Sequence, residues 1–159
     1  MINTNNVFEK INFSIMVDDL LDHGATYASV TLLDENGKAY YSRCSSDDWI
    51  LTYMDSGLYE KCHLMTEANS QLKYQTTGFI FLWDSYFAKN EESIYLEKLR
   101  KEKSICHGVA FCNVLQNGKK SIITVAGKHS DVNFSSNVLR NKRVVYHSLM
   151  KSFSNGVKR

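Results

Sequence analysis

Two Asn-Gly dipeptides, Asn36-Gly37 and Asn117-Gly118, constrain this 159-residue chain more than any other feature. Each lies between two runs with the character of β-strands. "TYASVTLL" precedes the first and "KAYYSRC" follows it; "HGVAFCNVL" precedes the second and "SIITVAG" follows it. Glycine after asparagine supplies the backbone freedom that closes a tight hairpin. Two hairpins imply a sheet that is largely antiparallel. Side chains alternate along a strand, so Ala28, Val30 and Leu32 share one side of the first run. The chain has no proline, so every other boundary must be read from periodicity and from glycine turns.

The remaining segments read mostly as helices. Residues 7–22 carry a stripe of Phe13, Met16, Val17, Leu20 and Leu21, and His23-Gly24 is a fitting stop. "SSDDWILTY" reads as a short capped helix with Trp49 and Tyr53 one turn apart. Residues 58–78 show no clear period, and "GFIFLW" at 78–83 predicts a short strand. Residues 90–103 predict a helix with Asn90 as N-cap, glutamates early and lysines late, matching the helix dipole. A final helix is predicted over 135–153, with Val138, Val145, Leu149 and Phe153 on one stripe. The order α-β-β-α-β-α-β-β-α is an α+β pattern. Its natural solution is an α/β/α sandwich around a mainly antiparallel sheet of about five strands, with helices on both faces. Folds of this PAS- and GAF-like outline often keep a ligand cavity between sheet and helices, an analogy that assigns no function alone.

At 43% hydrophobic and 23% charged residues the composition is that of one soluble globular domain, here residues 1–153, with 154–159 a polar tail or the start of a linker. No apolar run is long enough to cross a membrane, and "MINTNNVFEK" lacks the layout of a signal peptide, so the cytoplasm is the expected compartment. Cys44, Cys62, Cys106 and Cys112 then read as free thiols. Neither Cys62-His63 nor Cys106-His107 has the spacing of a structural zinc site, and no metal or cofactor is expected. The net charge of +2 is too slight to imply nucleic acid. From Val138 onward every charged residue is basic, but apolar residues at helical spacing interrupt the run, as on a solvated helix face.

Enzyme chemistry has little support. There is no G-x-S-x-G elbow, phosphate-binding glycine loop or H-E-x-x-H, and the acidic residues fall in turns and on helix surfaces. Cys62 or Cys106 can be paired on paper with several histidines, as in any chain with four Cys and five His. No catalytic residue is assigned. The aromatic residues say more. Trp49 and Tyr53 point the same way, Trp83 ends an apolar strand, and Tyr40 and Tyr41 lie on the second strand. Each buried Trp or Tyr needs a partner for its N–H or O–H. Such residues serve either as core with backbone partners or as the wall and donors of a ligand pocket.

"YYSRC", the W-x-x-x-Y of Trp49 and Tyr53, the later Trp83, "HGVAF" and "SIITVAG" occur in an order that resembles the N-terminal autoinducer-binding domain of LuxR-type quorum-sensing regulators. The resemblance covers roughly residues 7–153 by order of elements. It implies a small-molecule sensing domain, coupled to dimerisation and through it to transcription. In that family the tryptophan matching Trp49 donates to the lactone carbonyl, the tyrosine matching Tyr53 lines the wall, and an aromatic matching Trp83 lines the head-group end. Thr124 takes the place of a Ser or Thr facing the ligand, and Tyr41 and Ala110 fall on strands that border the pocket.

Two family positions differ. The family's aspartate, usually followed by proline, accepts from the ligand amide; here "KCHLM" stands in its place, with Cys62 or His63 at the aspartate's position. The family's tyrosine donor, four positions before the tryptophan, is Ser45. The expected ligand is therefore a small lipophilic signal that need not be a standard acyl-homoserine lactone. A homodimer is the expected assembly, with no membrane partner. DNA would be reached only through a helix-turn-helix domain, which these 159 residues lack, so the resemblance implies a sensor domain, excised or stand-alone. The alternative is a protein-interaction and dimerisation module without ligand that titrates a full-length regulator.

Overall fold

The computed structural model describes residues 23–115 and 117–157. The predicted helix over residues 7–22 lies outside them. Both predicted hairpins form. β1 (Ala25–Leu33) pairs antiparallel with β2 (Ala39–Cys44), and β4 (Cys106–Val114) with β5 (Lys120–Gly127). The two loops close alike: the Asp34 N–H bonds the Lys38 carbonyl at 2.8 Å, and the Leu115 N–H bonds the Lys119 carbonyl at 2.8 Å. Gly37 and Gly118 both sit at φ 82°, the left-handed position such loops demand.

β1 also pairs antiparallel with β5, and the short β3 (Phe79–Leu82) pairs with β4, giving one five-stranded sheet in the order β2-β1-β5-β4-β3. Helices cover both faces, making the α/β/α sandwich that the element order predicts. On one face Val30, Leu32, Val109, Phe111, Ile123 and Val125 pack against α4 (Phe134–Arg140) and α5 (Lys142–Val157), through Phe134, Val138, Val145 and Leu149. On the other lie α1 (Asp47–Ile50), α2 (His63–Tyr74) and α3 (Glu91–Glu102).

The structure departs from the predicted elements in three places. Residues 58–78 are not irregular: a 3₁₀ turn (Leu58–Lys61) leads into the whole of α2. That helix buries only Leu64, Ala68 and Leu72, a one-residue-per-turn stripe too thin to register as a helical period. The predicted final helix is two helices. The Asn141 N–H bonds the Asn137 and Val138 carbonyls, and its side chain donates to the Asn137 carbonyl at 2.8 Å, a local alternative to the helical ladder. α5 also runs past residue 153 to Val157. By contrast α3 is as predicted, with the Asn90 side chain accepting from the Ser93 N–H at 2.9 Å.

Candidate ligand-binding site

The site lies between the sheet and α1–α3. Alternation on β1 turns Tyr27, Ser29 and Thr31 toward it, and register then aligns Ser29 with Thr124 and Thr31 with Ser42. The Thr31 and Ser42 hydroxyls bond each other at 3.1 Å in a buried setting. Together these residues give the sheet floor a polar row in place of the aliphatic carpet on its other face.

The Ser46 hydroxyl accepts from the Trp49 N–H at 3.2 Å and so caps α1. The helix continues as a π-helical turn (Leu51–Asp55), a local widening often found at functional sites. Trp49 and Tyr53 stack with ring centroids 5.5 Å apart. Trp49 is 2% exposed. Burial pushes the Tyr53 phenol well above its ordinary pKa, with Cys62 adding to the effect, so the hydroxyl stays protonated.

Across from this pair stands Arg100, in the last turn of α3 and only 4% exposed. Its guanidinium donates to the Cys62 sulfur at 2.7 Å and lies 5.9 Å from the Tyr53 ring and 5.4 Å from the Trp83 ring. Among the described residues no carboxylate approaches Arg100 within ion-pair distance. A cation at a helix C-terminus gains about 0.3–1 kcal/mol from the dipole, whereas desolvating a charge costs several kcal/mol. A sulfur and two aromatic faces therefore leave this guanidinium short of an anion.

The enclosed space is about 60 Å³, enough for a few waters, because these side chains nearly fill it. Arg100, Trp83 and Leu64 separate it from an outer cleft of about 220 Å³, which His63, Tyr86, Glu97, Cys106, His107 and His129 border. Trp83 lies flat on the sheet at Gly108, where a Cβ would fall within the indole. Next to it His107 forms a bulge at φ 56°, bonding Asp84 at 2.8 Å and the His129 carbonyl at 2.9 Å. Desolvation works against the His107 imidazolium, but those two hydrogen bonds outweigh it and raise its pKa. Burial lowers the His63 pKa, and Arg100 lowers it further, so that ring stays neutral.

Of the residues singled out in the sequence, Trp49, Tyr53, Trp83, Ala110 and Thr124 line the cavity. Cys62 lies buried at the N-cap of α2, held by Arg100, and His63 belongs to the outer cleft. Tyr41 and Ser45 are elsewhere. Tyr41 pairs with Leu32 and points into the opposite core, because its neighbour Ser42 has the cavity-facing parity. Ser45 is exposed, its hydroxyl accepting from the Ala28 N–H at 3.1 Å. Burial raises the Cys106 thiol, the reverse of an activated nucleophile. Among the described residues no three His, Cys, Asp or Glu side chains gather as a metal site, and no helix is long and apolar enough to cross a membrane.

No protein-family model and no curated protein matches the sequence. Solved structures do match in shape. CepR2 from Burkholderia cenocepacia, described as an N-acylhomoserine lactone dependent LuxR family transcription factor, superposes with a TM-score of 0.61 at 10% identity, over 95% of this chain and 96% of that one. The fold is that of the LuxR-type autoinducer-binding domain. Escherichia coli SdiA matches with a TM-score of 0.59 at 11% identity, over 98% of this chain and 62% of its own. SdiA in complex with octanoyl-rac-glycerol gives a TM-score of 0.59 at 10% identity, over 98% of this chain and 61% of its own. The chain thus spans about three fifths of the SdiA chains.

Within this LuxR-type fold, sequence reasoning missed Ser29, Thr31, Ser42 and Arg100. The signal for Ser29 and Thr31 was present in the parity of β1, since they lie on the side opposite Ala28, Val30 and Leu32; Ser42 follows only once the hairpin register pairs it with Thr31. The signal for Arg100 was its spacing of four from Leu96 and seven from Ser93, the buried stripe of α3.

Proposed function

We propose that this chain is the small-molecule sensing domain of a LuxR-type transcriptional regulator, its ligand state coupled to dimerisation. The observation that carries the reading is the cavity face itself. Where a purely structural domain would place aliphatic residues, this face carries a stacked Trp49–Tyr53 pair, a hydroxyl row and a buried cation. Apolar walls with a few placed polar groups are how proteins hold amphipathic ligands. CepR2 and SdiA lend support as folds whose descriptions name an acylhomoserine lactone dependence and an octanoyl glycerol complex. In this reading the Trp49 indole donates to the head group, Tyr53 and Trp83 enclose it, Thr124 lies at the sheet side, and the ligand is a lipophilic signal. Binding requires Arg100 and Trp83 to yield, since about 60 Å³ holds no such molecule.

The test is thermal unfolding of the purified protein against a panel of acyl-homoserine lactones and related lipophilic signals. A ligand at about 100 times its Kd adds about 2.7 kcal/mol. At this chain length that raises the midpoint by roughly 5–10 °C. Trp49→Phe should weaken a head-group-bonded ligand by roughly 0.5–1.5 kcal/mol. Unchanged affinity in that variant removes the donor role.

The small cavity favours one rival: an interaction and dimerisation module whose pocket is filled by its own side chains and which titrates a full-length regulator. It predicts a flat panel, no co-purifying molecule in the mass spectrum, and a midpoint that rises only with a protein partner.

A further inference from the structure

The charge in the cavity specifies more about the ligand than the aromatic walls do. Among the described residues lining the cavity, Arg100 alone carries a formal charge at neutral pH, and it is 4% exposed. A guanidinium offers five N–H donors in a planar fork and cannot deprotonate. Within the protein one donor reaches the Cys62 sulfur, a weak acceptor, and the rings of Tyr53 and Trp83 face the group. Among the described residues the only ion pairs are Lys61–Glu92 and His107–Asp84, neither of which involves Arg100.

We propose that Arg100 receives an anion, so that the ligand is a carboxylate carried on an apolar chain rather than a neutral lactone. This rests on the ligand-sensing reading above. A carboxylate matches the fork with two parallel hydrogen bonds. A single positive charge balances a monoanion, whereas a phosphate monoester would leave charge uncompensated in a closed space. The group beside Arg100 fits the same chemistry. A carboxylate in the place of Cys62 would neutralise the guanidinium, whereas the sulfur, a weak acceptor, leaves most of the fork's donors for the ligand. The rest of the cavity suits the remainder of the molecule. Leu64, Met65, Phe81, Ala110 and Ile122 take the chain, and Thr124 reaches any polar linkage. Arg100 also borders the outer cleft, whose other charged residues include Asp84 and Glu97.

The experiment is calorimetric titration of the intact 159-residue protein with ligands of one chain length: decanoate, N-decanoyl-homoserine with its ring open, methyl decanoate, and N-decanoyl-homoserine lactone. The two carboxylates should bind roughly ten- to a hundredfold tighter than the ester and the lactone, the range for hydrogen bonds to charged groups. Arg100→Gln should abolish that preference, and Arg100→Lys should keep part of it. The wild-type acid-to-ester ratio decides the matter even if a variant fails to fold. An ester or lactone that binds as tightly as its acid overturns the proposal and leaves the sensor reading standing. If no compound of either class binds while the protein unfolds cooperatively, both fall together.

Discussion

The two faces of the sheet use the same strands to opposite ends. On the α4–α5 face the central strands present Ala28, Val30, Leu32, Val109, Phe111, Ile123 and Val125, with Ser121 a buried hydroxyl at one end, and Phe134 lies fully buried against Gly127, where a Cβ would meet its ring. On the α1–α3 face the neighbouring residues of those strands include Ser29, Thr31 and Thr124, and the ring resting on the sheet is Trp83, at Gly108. Both faces thus seat an aromatic ring on a glycine, yet one encloses a dry core and the other a cavity with a cation in it. A single step along a strand separates the two chemistries. The contrast teaches a division of labour: the α4–α5 face stabilises the fold, and the cavity face carries polar groups that a stability-only core would exclude.

That division predicts substitution effects of different size and even opposite sign. Phe134→Ala empties a fully buried site on the packed face and should cost about 3–5 kcal/mol in denaturant unfolding. A loss below 1 kcal/mol would deny that face its role. Gly108→Ala drives a methyl into the Trp83 indole and should cost about 1–3 kcal/mol, with a shift in tryptophan emission as the ring leaves its seat. Arg100→Met should go the other way. Replacing a buried cation that lacks a counter-ion with an apolar side chain of similar length should raise stability by about 1–2 kcal/mol. A loss as large as that of Phe134→Ala would show that Arg100 holds the fold together.

The smallest effect concerns His107 at the rim. Its pKa is raised in the folded state, so its contribution is fully present below the unfolded imidazole value of about 6.5 and fades as pH rises through the folded value. His107→Asn keeps tolerance of the left-handed backbone at φ 56°. It should cost within about 1 kcal/mol at pH near 5.5 and less near 8.5, since Asp84 is half in solvent. Equal costs at both pH values would show that the imidazolium contributes nothing.

The sheet was legible in the sequence because its hairpins are local: Asn36-Gly37 and Asn117-Gly118 announce them, and alternation assigns the packed face. The aromatic walls were legible from the four-residue spacing of Trp49 and Tyr53, which survives the π-helical turn. Less local features were not. Helix α2 hides behind a thin stripe of Leu64, Ala68 and Leu72. An aromatic residue on a strand that borders the cavity suggests a ligand contact for Tyr41, yet the parity that pairs Ser42 with Thr31 sends Tyr41 the other way. Arg100 sits in "EKLRKEK", whose charges suggest a solvated surface. Only packing from Cys62, Tyr53 and Trp83, all remote in sequence, reveals that one of those charges is inside.

The seam between β1 and β5, running from Ala25 opposite Gly127 to Leu33 opposite Lys120, has a kinetic consequence. Both hairpins can form early, since each needs only a short loop to close. Joining them at the seam closes a far longer loop, and that loop contains α1, α2, β3 and α3, every element that walls the cavity. The helices of the packed face follow β5, outside the loop. During synthesis the floor of the cavity therefore stays incomplete until β5 has left the ribosome, and α4 and α5 can seal the sheet only afterwards. Amide exchange should report the same hierarchy, with the β1 and β5 amides opening last, since losing the seam undoes both faces at once.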